Sequence, residues 1–187
     1  MITLTAGEIA LLVAGELHCD KDLLVSKAPV FDSRLATPGC IFLALKGETV
    51  DGHDFAADAY RAGAMFSLTT HRIDGPCIVV KDVLEAVAVL AAFVRKRLTH
   101  LTVIGITGSQ GKTSTKDLLA HMLRVAGPTV SPAGSFNNDL GLPITLLECD
   151  ERTKFCVLEM GARHKGDIAR LCEIAKPNIG VVLTVGT

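Results

Sequence analysis

No stretch of this 187-residue chain approaches the ~18 to 20 uninterrupted apolar residues of a membrane helix. The longest run, Ala86 to Val94, is about half that length, so membrane insertion is not expected. The opening residues lack the basic start of a secretory signal, and Glu8 interrupts their apolar part, so they read as folded protein. Charge of one sign is not in excess either. There are 19 Lys+Arg against 20 Asp+Glu and a formal net charge of −1, which gives no chain-wide electrostatic reason to expect nucleic acid or an anionic membrane as partner. The six cysteines, Cys19, Cys40, Cys77, Cys149, Cys156 and Cys172, include no C-x-x-C pair. Most have apolar neighbours, as Cys156 has in Phe155, Val157 and Leu158. Reduced, buried thiols in a cytoplasmic protein are the favoured reading, ahead of disulfides or a zinc site. Internal repeats and low-complexity segments are also missing.

What is present is the composition of a soluble globular protein, 49% hydrophobic and 21% charged. Thr5-Ala6-Gly7-Glu8 has the form of a capping box before a short helix, with Gly15 where that helix would stop. Residues 30–33 and 40–45 read as strands around the turn Thr37-Pro38-Gly39. Asp54 is placed to cap a helix through Ala62 that Gly63 closes. Residues 65–69 and 77–80 have strand length and character, and Asp82 opens a long helix to about Leu98. The Arg95-Lys96-Arg97 end of that helix suits the negative pole of its dipole, which favours a solvated terminus over a nucleic-acid patch.

From Leu101 the pattern alternates strictly. Strands are expected at 101–106, 129–131, 154–159 and 179–185, with helices at 112–125 and 166–175. Such alternation calls for a parallel sheet covered by helices. The boundary falls near residue 98, giving domains 1–98 and 99–187. The second is short for a nucleotide-binding sheet, so the chain reads as a fragment of a longer protein.

The strongest chemical signal is Ile104-Gly105-Ile106-Thr107-Gly108-Ser109-Gln110-Gly111-Lys112-Thr113-Ser114, between a predicted strand and a predicted helix. Enclosing a phosphate needs a turn tight enough for successive N–H groups to face one anion, which favours Gly108 and Gly111. The helix end adds positive potential. Lys112 can then reach the β and γ phosphates, and the Thr113 hydroxyl can bind Mg²⁺. The general G-x-x-x-x-G-K-[ST] pattern wants a glycine at position 106. Ile106 stands there, and Gly105 comes one residue early. A second element is the apolar strand ending in Glu159, whose carboxylate is of the kind Mg²⁺ takes. A third is the loop Gly134 to Pro143 with the pair Asn137-Asn138. Its amides can donate to substrate oxygens or serve the turn itself.

Taken together, residues 107–114, the run Ser135-Phe-Asn-Asn-Asp-Leu-Gly-Leu-Pro143, Glu159-Met-Gly-Ala162 and Gly166-Asp-Ile-Ala169 resemble the Mur ligase family of bacterial cell-wall synthesis. The first half agrees through Phe31-Asp-Ser-Arg34, Pro38 to Gly47 and Asp51-Gly-His-Asp-Phe55. The early Gly105 is itself a feature of that family's phosphate loop. The resemblance implies a small N-terminal α/β substrate domain followed by a truncated P-loop parallel-sheet ATPase domain, with a C-terminal domain lying further on. It implies ATP and Mg²⁺ as cofactors, held by Thr107, Gly108, Ser109, Gln110, Gly111, Lys112, Thr113 and Ser114, with Thr113 and Glu159 on the metal and Lys112 and Glu159 as the catalytic pair. Ser33, Arg34, Lys46, Asp51 and His53, with Asn137 and Asn138, are implied to bind substrate.

The implied activity joins D-alanyl-D-alanine to UDP-N-acetylmuramoyl-tripeptide through an acyl phosphate, in a cytoplasmic protein that is monomeric when whole. A sibling adding a single amino acid, or a nucleotide-dependent switch, are the alternatives. The family's later His and carbamoylated Lys are expected beyond Thr187, and His53, His121 and His164 do not substitute for them.

Overall fold

Residues 1–186 are described by a computed structural model of the chain. By compactness it divides into Met1–Leu90 and a second unit from Ala91 on.

The first unit opens with β1 (Leu4–Thr5) and α1 (Ala6–Leu12), joined by the expected capping box. Thr5 Oγ1 accepts from the Glu8 amide at 3.1 Å while the Glu8 carboxylate accepts from the Thr5 amide at 2.8 Å, satisfying two of the helix's unpaired donors reciprocally. The left-handed residue after α1 is Ala14, at φ 50°, not Gly15. Gly15 serves a close approach instead, since a Cβ there would fall 2.6 Å from Ile78 Cγ2.

β2 (Glu16–His18) and β3 (Leu24–Val25) follow, then β4 (Ile41–Leu43), α2 (Ala56–Ala62), β5 (Phe66–Thr69), β6 (Cys77–Val79) and α3 (Val83–Arg97). β3 pairs antiparallel with β1. The sheet order is β2-β6-β5-β4, with β4, β5 and β6 mutually parallel and β2 antiparallel at the edge. Phe42, Ala56, Ala59 and Cys40 form a buried cluster on it.

Two local expectations are corrected. Residues 30–33 are not a strand. Val30 makes a single parallel bridge to Phe42, and the Asp32 carboxylate then accepts from the Arg34 amide at 3.0 Å and turns the chain into a 3₁₀ helix over Ser33–Leu35, a side-chain bond that competes with extended pairing. The cap before α2 is Asp51, not Asp54. Asp51 accepts from the His53 amide at 3.0 Å and starts the 3₁₀ turn Gly52–Phe55 that runs into the helix. Gly63 does close α2, in the left-handed region at φ 115°. Asp82 caps α3 by accepting from the Glu85 amide at 3.0 Å.

The second unit holds β7 (Thr102–Thr107), α4 (Lys112–Ala126), β8 (Thr129–Val130), α5 (Gly141–Leu147), β9 (Phe155–Glu159), α6 (Asp167–Ala175) and β10 (Ile179–Val182). Its sheet order is β10-β7-β9-β8, parallel throughout. Ile104, Ile106, Ala120 and Val157 make a buried cluster joined by Leu119, Leu123, Val181 and Leu183. The division falls within α3, so Arg95 belongs to this unit, and its guanidinium donates to the carbonyls of Ala175 and Lys176 and to Asn178 Oδ1 at 3.0 to 3.1 Å. That arginine is therefore engaged within the fold, while Lys96 and Arg97 are exposed as expected of a solvated helix end.

The helix α5, inside and beyond the expected polar loop, is buried along its whole length. Pro143 is tolerated because the first helical turn needs no amide donors, and the Asn138 side chain accepts from the Gly141 amide at 2.9 Å. Among the described residues no helix is long and apolar enough to cross a membrane, and the six cysteines are all free. Cys156 is fully buried. A hydrogen bond with Cys149 and loss of solvent push its thiol well above the ordinary range.

Candidate active site

β7 and β9 are neighbouring parallel strands, registered so that Ile106 lies opposite Glu159. Their carboxyl ends therefore deliver two loops to one edge of the sheet, the edge at which open α/β sheets bind ligands. The β7 loop turns on two glycines. Gly108 has φ 143°, and a Cβ there would fall 2.8 Å from Leu183 Cβ. Gly111 has φ 79° and precedes α4 with no side-chain cap. A helix start lacking a capping side chain leaves amide donors to be satisfied by something else, an anion being the natural candidate. Lys112 folds back over the turn, its Nζ donating to the Gly108 carbonyl at 2.6 Å.

The Ser109 amide departs from the expected cradle. It donates to the Thr184 carbonyl at 2.8 Å, and the Ser109 hydroxyl accepts from the Gly186 amide at 2.9 Å. In this arrangement that N–H is engaged by the segment after β10. The segment after β10 thus borders the turn.

Glu159 is 2% exposed and both its oxygens are engaged. The Thr113 hydroxyl donates to Oε2 at 2.8 Å and Asn137 Nδ2 donates to Oε1 at 2.7 Å. Ser135 Oγ lies 3.3 Å from Thr113 Oγ1. The chain beyond Glu159 is close against the same loop. The Gly161 amide donates to the Asn137 carbonyl at 2.9 Å, and a Cβ on Gly161 would fall 3.0 Å from Asn137 Cγ.

The 2.8 Å between Thr113 Oγ1 and Glu159 Oε2 is close to the ~2.9 Å edge of an octahedron with ligand distances of 2.0 to 2.1 Å. These two oxygens thus fit adjacent positions around Mg²⁺. Among the described residues no group of three or more His, Cys, Asp or Glu is arranged to hold a metal, so an ion here would take its other ligands from water and phosphate, as Mg²⁺ commonly does.

The paired asparagines divide their work. Asn137 braces Glu159, while the Asn138 side-chain oxygen caps α5. Ser135 is a site residue that reasoning from sequence passed over, although it lies in the quoted polar loop.

The candidate residues of the first unit bond mostly to near neighbours, with His53 also reaching Thr70. The Arg34 guanidinium grips Asp32 at 2.6 to 3.2 Å, and that partner holds the Asp32 carboxyl down to about 2. Ser33 accepts from the Ala36 amide through its carbonyl. Lys46 bridges to Asp51 in a short antiparallel contact. The His53 amide and imidazole both bond Asp51 and lower its carboxyl below the ordinary range. His53 is 8% exposed. Its Nε2 accepts from the Thr70 amide at 3.0 Å, so Nδ1 carries the proton donated to Asp51 at 2.5 Å. The ring also stacks on His71 at 4.2 Å. Both His53 nitrogens are therefore satisfied inside the protein.

The chain is similar to known proteins along its length. Residues 30–95 match the Mur ligase family, catalytic domain, and residues 106–187 match the Mur ligase middle domain. A UDP-N-acetylmuramoyl-tripeptide–D-alanyl-D-alanine ligase of Mycobacterium tuberculosis is 46% identical over all of this chain and 42% of the relative. The ligase of the same description from Escherichia coli is 41% identical over 97% of the chain and 40% of the relative. Among solved structures, a crystal structure of MurF from Acinetobacter baumannii superposes with a TM-score of 0.88 at 36% identity, over 99% of this chain and 42% of that one. MurF ligase from Thermotoga maritima in complex with ADP gives 0.74 at 35% identity, over 86% and 38%. The chain thus spans about two fifths of the length of the relatives it matches.

Proposed function

The chain belongs to the Mur ligase family, and from that membership we propose that the protein it is part of is an ATP-dependent ligase joining D-alanyl-D-alanine to UDP-N-acetylmuramoyl-tripeptide in peptidoglycan precursor synthesis. The observation that carries this reading is the convergence of Thr113 and Glu159, 2.8 Å apart, beside the two-glycine turn at the strand ends.

The chemistry follows from the substrate. A carboxylate is a poor acyl donor because its leaving group would be oxide. Transfer of the ATP γ-phosphoryl to a carboxylate oxygen gives an acyl phosphate and ADP. The amine of the dipeptide then attacks the acyl carbon, the C–O bond to phosphate breaks, and the amide forms with loss of the amine proton. The protein's task in such a reaction is positioning and charge neutralisation. The Gly108 to Thr113 turn orients the triphosphate, with the Ser109 amide engaged elsewhere. Lys112 leaves the Gly108 carbonyl to meet the β and γ phosphates. Thr113 and Glu159 would hold Mg²⁺, which when bound neutralises charge on the phosphates. Asn137 fixes the Glu159 carboxylate. In the first unit, Ser33, Arg34, Lys46 and the Asp51–His53 loop are proposed to hold the UDP-linked substrate. Arg34 and Lys46 are the exposed cations of that set, and His53 acts by fixing the loop's shape. Six free cysteines and a nucleotide-linked substrate suit a reducing, cytoplasmic setting.

The test is Lys112→Ala in the whole protein, assayed with ATP, Mg²⁺, the UDP-linked tripeptide and D-alanyl-D-alanine. We expect turnover to fall at least ~10²-fold with the melting temperature retained. Near-parental ligation by that variant would overturn the reading.

A further inference from the structure

Lys116 is a lysine with no solvent exposure at all, an arrangement that a cation adopts only with full compensation. Its compensation is complete. The ammonium donates to the Pro132 carbonyl at 2.6 Å and the Gly134 carbonyl at 2.9 Å, and pairs with Asp117 Oδ1 at 2.9 Å. Three donors meet three acceptors.

The position in the fold gives this arrangement a purpose. On α4, Lys116 stands three residues after Thr113 and four after Lys112, so the three share one helix face. The carbonyls it grips belong to the segment leading from β8 into Ser135 and Asn137. Residues 133–136 are exposed and lie outside every helix and strand, and the two carbonyl bonds from Lys116 tie this segment to α4. Ser135 nonetheless lies 3.3 Å from the Thr113 hydroxyl, and Asn137 donates to Glu159 at 2.7 Å.

We propose that Lys116 is a positioning residue that fixes the 132–137 loop on the phosphate-loop helix and, through Ser135 and Asn137, sets the Thr113–Glu159 oxygen pair for the metal–nucleotide complex. The inference rests on the proposed ligase reading for the identity of the ligand. Lys116 touches neither nucleotide nor metal. It acts on the carboxylate through a loop whose own side chains do the contacting, and its charge is confined by the two carbonyls and Asp117.

The experiment replaces Lys116 in the whole protein with Met, which keeps an unbranched side chain one atom shorter and removes all donors, and with Gln, which keeps an N–H donor. Amide hydrogen exchange over residues 133–138 is followed without nucleotide. ADP binding is measured by calorimetry with and without Mg²⁺, and kcat and KM are determined for the UDP-linked substrate. We expect K116M to lose protection in the loop and to lose at least tenfold of the Mg²⁺-dependent gain in ADP affinity. Its kcat should drop at least tenfold while KM for the UDP-linked substrate stays within twofold, and K116Q should fall between K116M and the parent. Where K116M does not fold, K116Q carries the test with the same measurements. A folded variant that melts lower yet keeps loop protection, Mg²⁺-dependent ADP affinity and kcat would overturn the proposal by showing a purely structural lysine. Lys112→Ala separates the two readings. Parental ADP binding in that variant defeats the ligase assignment, whereas loss of ADP binding there with unchanged K116M behaviour defeats only the role of Lys116.

Discussion

The carboxylates bonded to the candidate site residues of the two units reach over different distances along the chain. In the first unit Asp32 bonds Arg34 and Asp51 bonds His53, each two positions along the chain. In the second, Asn137 reaches Glu159 across 22 positions and Thr113 reaches it across 46. A contact between near neighbours shapes a loop and can form before the rest of the fold exists. A contact across 46 residues exists only once β7 and β9 lie side by side, so its ordering entropy is met by the sheet rather than by the polar atoms themselves. The short pairs set local conformation, and the long ones assemble chemistry.

The largest break in this contrast should come from Glu159→Gln, which keeps the size of the side chain and removes its charge. Ligation by the whole protein is expected to fall ~10²- to 10³-fold with little change in melting temperature, because the strand and its packing are untouched. A fall in stability comparable to the fall in activity would place Glu159 with the loop-shaping residues instead.

Next in size is Gly52→Ala in the first unit. A Cβ there would fall 2.5 Å from the Leu45 carbonyl oxygen and 2.6 Å from the Leu45 nitrogen, backbone atoms that cannot swing aside. Denaturant unfolding is expected to report a loss of ~1 to 3 kcal/mol, and an unchanged midpoint would mean that this loop is softer than its bonding suggests.

The smallest effect sharpens the local end of the comparison. The Asp51 carboxyl lies below its ordinary 3.8 because the His53 amide, and then the imidazole, bond its charged form. A lowered acid stabilises the fold above its unfolded-state value, and that contribution disappears as the pH drops through the lowered one. Titration by nuclear magnetic resonance should find Asp51 below 3.8. His53→Ala should raise it only part of the way, since the amide bond remains. A full return to the ordinary value would assign the whole effect to the ring.

Much of this was legible in the sequence, for identifiable reasons. The turn from Gly108 to Thr113 announces itself because glycines, a lysine and a hydroxyl fall between an apolar strand and a helix, and each of those features is local. The parallel sheet of the second unit follows from alternation alone. What escaped depended on tertiary context. Gly141 and Pro143 are turn residues by habit, yet they stand in the first turn of a buried helix whose cap is Asn138. Residues 30–33 have strand character, but the Asp32 carboxylate accepts from the Arg34 amide and turns the backbone. Nothing in the Asn-Asn dipeptide foretells that one side chain braces a carboxylate and the other caps a helix. Lys116, one turn past Lys112, looks like any solvated helix residue until the fold buries it completely.

The bond from the Ser109 amide to the Thr184 carbonyl, together with the Leu183 side chain that bars any Cβ at Gly108, couples the two-glycine turn to what the polypeptide does after β10. Those few residues act as a brace on the turn's far wall. A rearrangement downstream would reach the turn through backbone atoms, without any residue of the turn itself having to change.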